Sequence, residues 1–179
     1  MGAQLASIAA DVGRGSFYNH FDSKEELFQA ALNEIFHSFG ALLARLPPVQ
    51  DPAETFARSF RLSARWLRRR PDEPPVLLDV GFAQLMSDRS LAPRALRDIT
   101  AADRVGRFHV ADPELAVTVA AGALLGLTQL LHDQPERDSA QAADQVAEDL
   151  LRMYGLSPDE AREVCQRPLP DPPRPHATP

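Results

Sequence analysis

Apolar residues recur every three or four positions along most of this chain, the spacing that lines one face of an α-helix. The clearest instance opens at Ser23. Ser23 and Glu26 form an S-x-x-E capping box, and Leu27, Ala31, Ile35, Phe39, Leu42 and Leu46 follow as a stripe that Phe28, Leu32, Phe36 and Leu43 widen. The pattern predicts a helix over 23–46 that stops at Pro47-Pro48 and is about 36 Å long. A rod of that length can carry motion from one small domain into another. No convincing period-two alternation and no hairpin dipeptide such as Asn-Gly occurs in the sequence, so the predicted class is all-α.

Prolines and glycines divide the rest into helix-length blocks. Short helices are predicted at about 3–11 and 14–21. A fourth block runs from Pro52, a favourable first-turn position, to Arg70, with Phe56, Phe60, Ser63 and Leu67 on one face and Trp66 beside it. Further helices are predicted at about 75–88 and 91–107, from Asp112-Pro113 to His132, at 139–154, and after Ser157-Pro158. Arg68-Arg69-Arg70 places favourable positive charge at a helix carboxyl end. Six of the last thirteen residues are proline, so the tail from 167 is expected to be disordered. The organisation read from the pattern is a small unit at 1–44, a helical domain at 45–166 and a tail at 167–179.

Composition narrows the function. The single cysteine, Cys165, excludes an intrachain disulfide and a cysteine-rich zinc site. Nothing at the start resembles a secretory signal, which points to the cytoplasm. Five scattered histidines, with no H-E-x-x-H, G-x-S-x-G or Walker-type loop, leave catalysis without a motif and call for no metal and no cofactor. A net charge of −6 counts against a generic nucleic-acid binder, because neutralising phosphate needs Lys and Arg. A groove reader needs only a local cationic face.

The segment from Asp11 to Leu27 offers such a face. A short helix and a small-residue turn lead into Arg14-Gly15-Ser16-Phe17-Tyr18-Asn19-His20-Phe21 and then into the capped long helix. The layout fits a helix-turn-helix whose second helix enters a major groove, and equally a capped helical hairpin with surface Tyr, His and Lys. In the first reading Arg14 pairs with guanine, Gly15 and Ser16 permit close approach, and Asn19 reads adenine or touches backbone. Tyr18 and Lys24 hold phosphate, Lys24 near a helix amino end. His20 completes the set, and Phe17 and Phe21 are core.

This run resembles the DNA-binding signature of TetR-family transcriptional regulators. The pattern is approximately Ile-Ala-x-x-Ala-Gly-Val-x-x-Gly-Ser-Phe-Tyr-x-His-Phe-x-Ser-Lys-x-x-Leu. Ala10, Val12, Gly15, Ser16, Phe17, Tyr18, His20, Phe21, Ser23, Lys24 and Leu27 match it. Asp11 replaces the usual glycine. Ala6 and Ser7 stand at the Ile-Ala positions, which leaves Leu5 or Ile8 to supply the apolar contact. In the family a further helix precedes this motif and has no counterpart here. The reading head is therefore expected to be incomplete, residues 1–20 mobile and DNA binding weakened.

Two features of the larger domain gain meaning from the resemblance. Leu115–Leu131 is a seventeen-residue run without charge, at the lower edge of a membrane span, but the flanking Asp112, Glu114 and Asp133 argue for a buried soluble helix. Gly122 and Gly126 give it a face another helix can approach closely. With the block bearing Val146, Leu150, Leu151 and Tyr154 it resembles the family's dimerisation pair, which implies a homodimer joined through Gly122, Gly126, Leu130, Val146, Leu150 and Tyr154. Phe56, Phe60, Trp66, Phe82, Leu85, Met86, Phe108, Thr128, Gln129 and His132 suit either plain core or an apolar pocket with a few polar groups. The family keeps an effector cavity between these helices, and Gly106-Arg107-Phe108 resembles a corner that abuts it. The expected function is a ligand-responsive DNA-binding regulator, a repressor released from operator DNA by a small apolar effector. The alternative is a helical ligand-binding or interaction protein without DNA binding. An enzyme using the same cavity has no motif behind it.

Overall fold

The structure is a computed structural model and describes residues 24–69, 78, 82–88 and 90–170. Among them every regular element is helical: α1 (Lys24–Ala44), α2 (Pro52–Arg69), the single turn α3 (Phe82–Leu85), α4 (Ala92–Arg104), α5 (Pro113–Asp133), α6 (Ser139–Met153) and α7 (Pro158–Gln166). The predicted blocks at 3–11 and 14–21, and the mobility expected of 1–20, lie outside the described residues, as does most of the block predicted at 75–88.

Local chemistry fixes the helix ends. Asp51 accepts the Ala53 amide at 2.9 Å with Pro52 next in the chain. Asp112 and Asp138 cap α5 and α6 by accepting two amides each. Ser157 and Glu160 form a reciprocal capping box on α7. Gly106 (φ 73°) and Gly155 (φ 108°) end α4 and α6 in a left-handed conformation. The amide after each glycine reaches back to the preceding turn: Arg107 to the Ala102 carbonyl at 2.9 Å and Leu156 to that of Leu151 at 3.1 Å.

Helix α2 is the hub, packed against α4, α5, α6 and α7. Around it lies the main core, where Phe56, Phe108 and Tyr154 meet with ring centroids 5.2–5.8 Å apart. A second cluster joins α1 to α2 through Phe39, Leu42, Leu43, Leu62 and Trp66. Helix α5 is two-sided: Val117, Ala120, Leu124 and Leu127 are buried, whereas Leu115 and Val119 are 63% and 45% exposed. It is the one helix among the described residues long and apolar enough to cross a membrane, with a third of that window buried in the core.

Several expectations are corrected. Tyr154 does not face outward. It is 1% exposed and its hydroxyl donates to the Ala116 carbonyl at 2.7 Å. Leu150 is likewise buried, because the inner face of α6 packs on α2 and α7. Residues 167–170 are not loose tail. Arg167 pairs with Glu54 and with Glu163 at 3.1 Å, Arg61 donates to the Arg167 carbonyl at 3.1 Å, and Leu169 packs on the second cluster. The proline count hid these few strong contacts. Residues 171–179 lie outside the described set.

Candidate ligand cavity

The main cavity lies between α2, α4 and α5, with the end of α1 at one side. Helical periodicity builds each wall. Phe56, Ser59, Phe60 and Ser63 come from one face of α2. Leu91, Arg94, Ala95 and Asp98 come from α4 and the residue before it. Val117, Ala120, Ala121 and Leu124 come from α5, and Leu43 closes the α1 side. The space open to the centre of a water molecule is about 70 Å³. One water needs about 10–15 Å³ by that measure, so several waters or one small ring fit. A smaller cavity of about 20 Å³ adjoins it, sharing Ser63, Leu85, Leu91 and Leu124 and reaching Phe36, Phe39 and Trp66.

The walls are mostly apolar, and the exceptions are specific. Ser63 is satisfied, donating to the Ser59 carbonyl at 2.8 Å. Arg94 donates through Nη2 to the Leu43 carbonyl at 3.1 Å, but its Nε is buried without a partner. Asp98, one turn further along α4, has a buried Oδ2 without a partner. Burial raises its carboxyl above the usual range, against the opposing pull of Arg94, Arg97 and Arg58. Arg58, behind them on α2, donates to the Pro47 carbonyl at 2.7 Å and has an unpartnered Nε; burial lowers its pKa most. Unpaired buried donors and acceptors are rare in native proteins, and here one of each belongs to residues that line the same cavity. A molecule with an apolar body and a hydroxyl group can donate to Asp98 and accept from Arg94.

Of the residues singled out for the pocket, Phe56, Phe60 and Leu85 line this cavity. Trp66 lines only the smaller one. Met86 packs against the core from outside, Phe108 is enclosed by Phe56 and Tyr154, and the side chain of Phe82 is not among those described. Gln129 and His132 are exposed on the far side of α5, where Gln129 donates to Asp133 at 2.9 Å; the helical phase of α5 turns them away from the pocket. The Gly106–Phe108 corner also departs from expectation: Arg107 pairs with Asp51 and Glu160, both at 3.1 Å, tying the corner to α2 and α7. Sequence reasoning missed Arg94 and Asp98, whose signal is an i, i+4 charged pair beside the apolar positions Leu91, Ala95, Ile99 and Ala102.

On the outer face of α5, Gly122 and Gly126 are exposed, and a side chain at Gly126 would meet nothing within 4 Å. Leu130 is 36% exposed, and Val146 is half-buried against the core. Arg14, Gly15, Ser16, Tyr18, Asn19 and His20 lie outside the described residues; Lys24 begins α1, its side chain undescribed. No cluster of three or more His, Cys, Asp or Glu suited to a metal occurs among the described residues.

Residues 51–167 match the family model of the tetracyclin repressor-like C-terminal domain. The chain belongs to the TetR family. Residues 7–31 match the model of bacterial regulatory proteins of the tetR family, the same stretch that carries the helix-turn-helix pattern. No curated protein sequence matches the chain. Among solved structures, this TetR-family chain is similar to RolR without ligand: 34% identity over 96% of this chain and 89% of that one, with a TM-score of 0.75. It is also similar to RolR in complex with resorcinol, at 33% identity over 96% and 86% of the two chains, with a TM-score of 0.69. The protein is thus a ligand-responsive DNA-binding regulator.

Proposed function

We propose that this regulator is a cytoplasmic homodimeric repressor whose effector is a small, mostly apolar molecule carrying at least one hydroxyl group, seated between α2, α4 and α5. The observation that carries the reading is the Arg94–Asp98 pair, one buried donor and one buried acceptor unpartnered on residues that line a mostly apolar cavity. Supplying both at once recovers a cost of about 1–3 kcal/mol for each group. Resorcinol, the ligand in the related RolR structure, has this chemistry: a small ring with two hydroxyls.

In this reading residues 1–44 form the DNA-reading head with the connector α1, and 45–166 the effector-binding and dimerisation domain. Arg14 and Asn19 address base edges. Tyr18, His20 and Lys24 hold backbone, and Gly15 and Ser16 allow the approach. The dimer forms through the exposed face of α5 at Leu115, Val119, Gly122, Gly126 and Leu130, with Val146 at its margin; an isologous pairing buries this apolar stripe. Two heads then meet half-sites about one helical turn apart.

The test pairs two titrations on the full chain. Calorimetry with resorcinol, against phenol and benzene, should show affinity rising with each hydroxyl. Fluorescence anisotropy on DNA flanking the protein's own gene should show release by the same compound at the same midpoint. DNA affinity that stays unchanged while resorcinol saturates the protein would overturn the repressor reading.

A further inference from the structure

The smaller cavity differs in chemistry from the larger one. Ile35, Trp66 and Leu67 line it alone, and Ser63 and Leu91 belong to both. Ser63 is the small member of a bulky stripe. Phe56, Phe60, Ser63 and Leu67 follow one another at helical spacing on α2, and all four are buried. A hydroxymethyl group between rings and branched chains leaves a notch in the wall that the cavities share. Its hydroxyl is folded back onto the Ser59 carbonyl at 2.8 Å, so it asks nothing polar of the space beyond. About 20 Å³ is open there to the centre of a water molecule, against about 10–15 Å³ for one water. A buried water also needs polar partners, which the described walls lack. The hollow suits one or two carbon atoms.

The two cavities also lie in order along α4. Asp98 lines only the larger one, and Leu91, two turns earlier, is shared; that separation is about 10 Å along the axis. A ring hydroxyl held by Asp98 therefore turns the opposite edge of the ring toward Leu91 and Ser63. We propose that the smaller cavity is an alkyl subsite: the effector is a hydroxylated aromatic ring with a one- or two-carbon substituent on the edge remote from Asp98, and the substituent lodges between Ser63, Trp66 and Leu67. This rests on the reading of the main cavity as the effector site and narrows the class of molecule it takes. Each carbon buried there raises affinity about fourfold. An apolar hollow of this kind stays dry when empty, so the substituent enters without displacing bound water.

Two methyl isomers of resorcinol separate a shaped subsite from a general liking for carbon. In 5-methylresorcinol the methyl group stands on the edge remote from both hydroxyls. In 2-methylresorcinol it stands between them and points toward Asp98 instead. Calorimetry on the full chain should show 5-methylresorcinol binding about fourfold more tightly than resorcinol, and 2-methylresorcinol no more tightly. Ile35→Phe fills the hollow from α1, at a half-buried position outside the main cavity. It should leave resorcinol affinity unchanged and abolish the gain from the 5-methyl group. If Ile35→Phe fails to fold, Ser63→Leu closes the notch from α2 and is read by the same ratio of affinities. Equal gains from both isomers, no gain from the 5-methyl group, or a gain that survives filling of the hollow overturns the alkyl subsite alone. Calorimetry without binding of resorcinol or of either methyl isomer overturns the effector reading and the subsite with it.

Discussion

Asp98→Asn separates the two things this carboxylate does. In the unliganded protein it is a cost: Oδ2 is buried and unpartnered, and burial raises its pKa although three arginines oppose the rise. A carboxyl raised in the folded state binds more protons than in the unfolded chain, so stability falls as pH rises from about the unfolded value of 3.8 through the folded one. Raising the pH through that range therefore adds this cost to the folded wild-type. An asparagine has the same shape without the charge and can turn its oxygen toward Arg94. Relief at the low end of an unsatisfied buried group gives about 1 kcal/mol. In a domain of this size that is a rise in Tm of about 2–4 °C. Urea unfolding at pH 7 and at pH 4 is the assay. The variant should be more stable at pH 7, and the advantage should shrink at pH 4, near the unfolded value of 3.8, where the carboxyl is more protonated in the folded wild-type than in the unfolded chain. Every other carboxylate is shared and cancels. The same variant should bind resorcinol at least about tenfold more weakly, having lost a charged acceptor. An Asp98→Asn protein less stable at pH 7, or one of unchanged affinity, would refute the reasoning.

Gly126→Leu should leave the protomer folded, since its Cβ meets nothing within 4 Å, yet give monomers by sedimentation; an intact dimer would move the interface elsewhere. Tyr154→Phe should cost about 1 kcal/mol in urea unfolding, the net value of one hydrogen bond to a carbonyl, and leave the dimer intact; dissociation would return Tyr154 to the interface. Lys24→Ala should weaken binding to all DNA sequences alike and lower the salt slope by about 1, whereas a change confined to one operator sequence would mean that Lys24 reads a base.

The periodic stripes located the helices because apolar spacing is the imprint of burial itself. Prolines and caps set the ends of α2, α5 and α7 within a residue or two. Burial on its own does not say what lies on the other side of a face. Leu150 and Tyr154 have the same sequence signature whether they pack on α2 or on a second protomer. Only the phase of α6 against α2 and α7 decides that they are internal, which leaves α5 to present the open stripe. The same ambiguity misplaced Gln129 and His132, which follow an apolar run but sit on its outer side. Arg94 and Asp98 were invisible for the opposite reason: charged residues at i, i+4 on a helix usually read as a solvent-facing pair. Here Pro93 in the first turn and Ser90, whose Oγ accepts the Ala92 amide at 3.0 Å, start α4 so that the pair turns inward.

That inward turn links stability and recognition in one place. A core filled by alanine or leucine at positions 94 and 98 would avoid the buried polar atoms and be the more stable protein. It would also lose the means to tell a hydroxylated ring from a hydrocarbon, because apolar walls discriminate weakly between isosteres while unpaired polar groups discriminate strongly.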